Sequence, residues 1–413
     1  MMYRSLFMSY FVQTFTFDFI AVGLAFYWAE LVGPDKIPLY WMMLGLPWVI
    51  KPVYGLFTDS IPIFGYRRRP WISIASVFAS LSFLFLTRII EVVYACTFAS
   101  LFLCVADVVT DSLLVELSRT MKTEGLLQSN VIRARLYGSV VALSGGLVYQ
   151  LFGIDCVFQI AAILPLALSV SIFAIPEKKY VQDGTPIPIG VVCSSIANGF
   201  SWPLARILSV GCLVGLLPNR VEMVLFYRYK EVHFSPFVMS IIAVAGAMGG
   251  LIGVILYKRI KGIRRPIIIS GMLTTAGCII GSYTVGLTDY YAIFVGALLQ
   301  SLFFGISNSL LLIPLITTTA TLMPENAEGT MYALVMSMFN SAAMVGDVIE
   351  SFFVSELGIT SSSFKNKNLF NFTMISALIT LVATFISATV FVRNDADCKI
   401  QPKLTCIKEV ISP

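Results

Sequence analysis

Ten charged side chains lie inside runs that are otherwise apolar: Asp18, Lys51, Asp107, Asp111, Arg133, Arg135, Arg220, Glu222, Asp347 and Glu350. A charge at the centre of a lipid-facing helix costs about 2.5–3.5 kcal/mol, so ten of them would cost on the order of 25–35 kcal/mol. They must face one another or water, where carboxylates and cations can pair, bind a polar solute or carry a proton. Asp107 and Asp111 are four apart and share one helical face, with Glu116 further along. Arg133 and Arg135 are two apart and point to different faces, so that one can meet the acids of the preceding span while the other lines a cavity. Two readings stand for these four: a structural or gating ion-pair network, and participation in substrate or proton handling.

Other charges come with helix breakers. Lys51 stands in the string Ile-Lys-Pro, where Pro52 loosens the helix and exposes carbonyls beside a cation. The string GLLPNRVE combines Pro218 with Asn219, Arg220 and Glu222, and a broken helix near mid-membrane marks a solute site. Asp347 and Glu350, three apart, suit either a helix-packing pair or a functional one, and Asp18, alone in its span, is expected to face a cavity. Gln13, Asn130, Gln300, Asn308 and Asn340 extend the polar set, with aromatic surface from Phe17, Trp41 and Trp48 among others.

The elements that must position these groups follow from composition. The chain is 57% hydrophobic and 12% charged over 413 residues, with mean hydropathy +0.86. That is an integral membrane protein, and apolar runs of about 20 residues predict helical spans, not the roughly 10-residue alternating strands of a barrel. Spans are expected at about 7–29, 39–57, 71–90, 92–116, 126–152, 156–175, 204–227, 235–257, 266–287, 290–320, 328–354 and 369–392. This gives an all-α membrane protein of about twelve transmembrane helices in two six-helix halves. Residues 1–176 form the N-terminal bundle, 177–203 a central cytoplasmic linker, 204–394 the C-terminal bundle and 395–413 a cytoplasmic tail. The first run is too long for a signal peptide and contains Asp18, so it is read as the first span. Lys and Arg concentrate in the loops that share a side with the termini, above all 67–69, 258–265 and the tail, which predicts cytoplasmic termini.

Chemistry of other kinds finds little support. The single histidine, His233, falls in a predicted external loop without metal-ligand spacing, and the eight cysteines are scattered with no C-x-x-C. No nucleophile triad or nucleotide-binding glycine loop is present, and the net charge of +5 reflects topology rather than nucleic-acid binding. The reading is therefore no enzyme, no cofactor and no metal.

The stretch GLFTDSIPIFGYRRRPW, Gly55 to Trp71, reads as a tight cytoplasmic hairpin. Gly55 permits close helix approach, Asp59 can accept hydrogen bonds from a neighbouring helix N-terminus, Gly65 turns the chain, and Arg67, Arg68 and Arg69 hold the loop at an anionic surface. Pro70 occupies the first turn of the next span, where proline is tolerated. GVILYKRIKGIRRP, Gly253 to Pro266, repeats the pattern in the second half with Tyr257 in place of Asp59. The arginines suit either a topology signal alone or an added gating role.

This skeleton resembles the signature loop of major facilitator superfamily transporters. The longer string Leu46–Trp71, together with ADVVTDSLLVE (Ala106–Glu116) and the block Glu328–Thr360, resembles the folate–biopterin transporter family in particular. The resemblance implies a secondary active transporter of folates or pterins working by alternating access. Intramembrane acids without an ATP-binding motif suggest proton coupling, with Asp107 or Asp111 as the protonatable group. The implied partners are a folate- or pterin-like solute, protons and the bilayer, in a plasma-membrane monomer. Competing readings are a same-fold carrier of S-adenosylmethionine or another organic solute, a channel, and a non-transporting receptor.

Overall fold

The computed structural model describes residues 2–31, 37–121, 124–174, 177, 189–216, 231–260, 262–323, 328–358 and 366–391. Pro218, Asn219, Arg220 and Glu222, most of the predicted linker and the C-terminal tail lie outside the described residues.

The described residues are almost wholly helical. We number the helices α1 (Met2–Leu31), α2 (Ile37–Val49), α3 (Lys51–Ser60), α4 (Arg69–Leu81), α5 (Val92–Met121), α6 (Glu124–Val141), α7 (Ser144–Ser171), α8 (Ile189–Gly199), α9 (Trp202–Gly215), α10 (Pro236–Tyr257), α11 (Arg264–Val285), α12 (Tyr290–Thr321), α13 (Glu328–Glu356) and α14 (Asn366–Ile386). Nine helical segments among the described residues are long and apolar enough to cross a membrane. Ile163, Val170, Leu378 and Phe385 point outward, while Ser9, Thr16, Thr110 and Ser112 are buried between helices. That inverts the pattern of a protein in water and suits a bilayer, where polar groups join helices.

Backbone chemistry breaks one predicted span and sets the junction between two others. The second predicted span is broken at Ile50 (φ −92, ψ 16), which separates α2 from α3. Pro52 has no N–H to give to the Trp48 carbonyl four residues back, so the helical ladder cannot run through. The fifth and sixth predicted spans meet at Gly153 (φ 77, ψ −177), a conformation open to glycine, which divides α7 into two helical segments. Helix α8 lies within the stretch predicted as linker.

The helices before the linker pack chiefly on one another: α1 on α6 and α7, α4 on α5 and α7, α2 on α5. Those after it do likewise, with α12 between α10 and α11, α14 on α11, and α13 on α9. Two seams join the groups. Helix α13 lies against α2, α3 and α5, and α10 lies against α6 and α7. At the first seam Gly55 brings α3 so close that a Cβ there would stand 3.0 Å from the Thr330 Cα. At the second, a Cβ on Gly146 of α7 would stand 2.5 Å from the Pro236 carbonyl oxygen at the start of α10.

Candidate solute and proton site

The charges of the first group meet on one face of α5. Lys51, the first residue after the α2–α3 break, donates to Asp107 Oδ2 at 2.6 Å, and Arg135 Nη2 donates to Asp107 Oδ1 at 2.7 Å. Asp111, one turn along, lies 3.6 Å from Arg135 and accepts from the Tyr10 hydroxyl at 2.8 Å. The Arg135 guanidinium stands 4.8 Å from the centre of the Tyr10 ring, and the Lys51 ammonium 4.5 Å from that of Trp48. Two cations thus share two carboxylates, in side chains that for Lys51 and Asp107 are 3% and 2% exposed. Removing one partner from so buried a pair typically costs about 3–5 kcal/mol.

Of the two arginines of α6, Arg135 does both tasks that spacing divided between them: it meets the acids and lines a cavity. Arg133 turns elsewhere, donating to Asn130, and its charge reaches Lys258 beyond the end of α10. Burial and the Arg133 charge hold the Lys258 pKa below its usual value.

The break beside Lys51 is closed by the other group of helices. The Trp48 carbonyl, left without its helical donor, accepts from Asn340 Nδ2 at 3.3 Å, and the Val49 carbonyl accepts from the Ser337 hydroxyl. Both donors are on α13. The exposed carbonyls expected from Pro52 are therefore taken up across the seam.

One cavity opens off the charge cluster, and a second shares Asp18 with it. The first, about 340 Å³, is walled by Phe17, Asp18, Trp48, Asp107 and Arg135 from the first group and by Asn340, Ala343 and Met344 of α13. Phe17 and Trp48 meet there edge to face with centroids 6.2 Å apart. The second, about 560 Å³, has a hydroxyl-rich lining that includes Ser139, Thr274, Ser301, Ser307 and Asn308. Asp18 belongs to both walls, and the Ser139 hydroxyl donates to its Oδ2. Both volumes suit a small organic ligand. Asp347, half-buried on α13, lines neither of these two cavities.

At the basic end of the bundle the signature loop forms a separate network. Ile63 and Tyr66 exchange backbone hydrogen bonds of 2.9 Å across a two-residue turn in which Phe64 (φ 52) and Gly65 (φ 78) are both left-handed. The turn delivers three arginines to one acid: Glu177 Oε1 accepts the backbone N–H groups of Arg67 and Arg68 at 2.9 Å, and Oε2 accepts that of Arg69 at 3.0 Å. Those donors open α4, where no helical acceptor exists. The Arg68 side chain is bound by Asp59 at 2.8 Å and by Glu116. Burial opposes the Arg68 charge, and Glu116 and Asp59 more than offset it, holding its pKa above the ordinary arginine value. Asp59 Oδ2 also accepts the Thr330 N–H at 3.0 Å and its hydroxyl at 2.7 Å. In the second half Tyr257 packs against the apolar cluster of Ile132, Val254, Ile313 and Ile316.

Tyr10, Ser139, Glu177 and Thr330 complete these networks, and the sequence did not single them out. Each is a common residue type without distinctive spacing; Glu177 alone offered a signal, as an acid inside the charged cluster after the sixth span.

The sequence profile of the BT1 family matches residues 18–401. The chain belongs to the BT1 family. Among its relatives are the folate-biopterin transporter of Synechocystis sp., 27% identical over 78% of this chain and 68% of the relative, and folate transporter 1 of Plasmodium falciparum, 24% identical over 81% and 68%. Among solved structures the fold is similar to that of the nucleoside transporter NupG, in a mutant form, with TM-score 0.67 at 14% identity over 94% of this chain and 99% of that one. It is also similar to the human organic anion transporter MFSD10, with TM-score 0.67 at 11% identity over 94% and 98%. The BT1 chain therefore has the helical major facilitator fold. These relatives are transporters, not enzymes.

Proposed function

We propose that this protein is a secondary active transporter of folates or pterins, coupled to the proton gradient and working by alternating access. The observation that carries the reading is the 340 Å³ cavity, walled by helices of both groups and holding two carboxylates, a guanidinium and two aromatic faces. Phe17 and Trp48 offer stacking surface to a planar heterocycle, Asp18 accepts from the amino-pyrimidinone edge of a pterin, and Arg135 attracts an anionic substituent. The names of the BT1 relatives supply the substrate class. Alternation opens one seam contact at a time: Asp59 with Thr330 at the basic end, Gly146 with Pro236 at the other. Both termini are assigned to the cytoplasm on the asymmetry of Lys and Arg, and the plasma membrane is the proposed location.

The test is uptake into proteoliposomes of radiolabelled folate, 5-methyltetrahydrofolate, biopterin and S-adenosylmethionine, with and without an inward proton gradient. Gradient-stimulated uptake of one pteridine, competed by another, is the expected result. Uptake of S-adenosylmethionine alone would reassign the substrate, and uptake indifferent to the gradient would remove the coupling.

A further inference from the structure

We propose that Asp18, rather than the more deeply buried Asp107 or Asp111, is the carboxylate that takes up and releases the coupled proton; this rests on the transport reading above. A proton carrier must meet water, exist without charge, and be reachable from both sides in turn. Asp18 is half-buried and belongs to both cavity walls, whereas the side chains of Asp107 and Asp111 are 2% and 9% exposed. Protonating Asp107 would strip the counter-charge from Lys51 at 2.6 Å and weaken that of Arg135 at 2.7 Å. Two buried cations resist that. Among the described residues Asp18 accepts from a neutral partner, the Ser139 hydroxyl.

That hydroxyl suits both protonation states. When Asp18 is ionised, Ser139 donates to it. The Arg135 carbonyl oxygen, 3.3 Å from the same Oγ, is a second acceptor for the Ser139 hydrogen. When Asp18 is protonated, Ser139 turns its hydrogen to that carbonyl and accepts the new carboxyl O–H. The Ser139–Asp18 hydrogen bond is therefore kept in either state, with donor and acceptor exchanged.

Among the described residues, the charged groups that face Asp18 are Arg135 on α6 and Asp107 on α5, through the shared smaller cavity. Helix α7, along α1, places Tyr149 against Gly23, and α10, α12 and α13 bring only neutral groups such as Gly246, Asn308 and Asn340 to the described walls. In the step itself, a hydronium ion in the cavity open to one side gives its proton to the carboxylate, forming the O–H bond and leaving water. When the opposite side opens, that bond breaks and water carries the proton away. Neutral Asp18 makes the chamber more positive around Arg135, so proton and anionic substrate favour each other.

The test uses two readouts on wild type, Asp18→Asn, Asp18→Glu and Asp107→Asn. Infrared titration of the purified full chain needs no substrate: a protonated-carboxyl band that titrates in wild type should vanish in Asp18→Asn, move its midpoint in Asp18→Glu and persist in Asp107→Asn. In proteoliposomes with labelled biopterin and 5-methyltetrahydrofolate, Asp18→Asn should lose gradient-driven accumulation by at least about tenfold, and the uptake left should no longer respond to pH. Absence of the band in wild type, its survival in Asp18→Asn, or gradient-driven accumulation with wild-type pH dependence in that variant would overturn the assignment. If no pteridine is transported, the substrate reading fails, and the infrared titration still decides the proton site.

Discussion

Asp59, in the last turn of α3, accepts both the backbone N–H and the hydroxyl of Thr330, in the first turn of α13. The carboxylate of one helical group thus serves as N-terminal cap for a helix of the other, aided by that helix's positive end. Its second oxygen holds Arg68.

Separating these two roles gives the first prediction. Thr330→Val keeps the N–H bond and loses the hydroxyl bond, which lowers stability by about 1 kcal/mol. Asp59→Ala loses both and leaves Arg68 with Glu116, lowering stability by about 3–5 kcal/mol. Thermal unfolding in detergent should rank wild type above Thr330→Val above Asp59→Ala.

A ranking also follows for the charge cluster. Asp107→Asn strands Lys51 and leaves Arg135 only Asp111 at 3.6 Å, whereas Lys51→Met leaves Asp107 still paired with Arg135 at 2.7 Å. Asp107→Asn should therefore be the more damaging, by about 2 kcal/mol, and the double variant should be milder than the sum of the singles. Denaturant titration of the four proteins measures the coupling. Equal losses, or strict additivity, would show that Lys51 and Asp107 do not share a charge balance.

Glu177 accepts three successive backbone N–H groups, those of Arg67, Arg68 and Arg69, at 2.9–3.0 Å. Glu177→Ala should fray the start of α4, at about 1–2 kcal/mol for the lost cap. Trypsin is the direct probe, since the frayed stretch offers two cleavable bonds, after Arg67 and after Arg68, Pro70 blocking the one after Arg69. Cleavage there should accelerate several-fold in Glu177→Ala and stay near wild type in Glu177→Asp.

Much of the fold was legible because lipid imposes it: apolar length marks helices, and the α2–α3 break at Pro52 and the turn at Gly65 follow from backbone chemistry. Which charges meet was legible only in part. A helical step of 100° says that Arg133 and Arg135 face differently, but not which faces α5, because the absolute rotation of α6 is set by packing on α1, α10 and α12. The hydroxyls of Tyr10, Ser139 and Thr330 were invisible in advance, since one tyrosine or serine in an apolar run looks like any other. The prominence of Asp107 in the sequence pointed to the proton; the structure adds that Asp107 is held by two cations and lines one cavity, while Asp18 lines both.

The last prediction concerns Pro52 and Asn340, which never touch in sequence terms yet depend on one another. Pro52 removes the N–H that would have bonded the Trp48 carbonyl, and Asn340 of α13 supplies a replacement at 3.3 Å. Asn340→Leu should leave that carbonyl unsatisfied at a cost of about 1–3 kcal/mol. With Pro52→Ala, the backbone of residue 52 can donate to Trp48 itself, and the ladder from α2 into α3 can run on. Asn340→Leu should then cost less than half as much in the Pro52→Ala background, as read from thermal unfolding of all four proteins. Transport should respond in the opposite sense. Joining α2 to α3 removes the need for α13 at the seam beside Lys51, so Pro52→Ala should slow uptake even where it raises stability. If Asn340→Leu is equally costly in both backgrounds, the amide is there for another partner and the break at Ile50 is not held from across the seam.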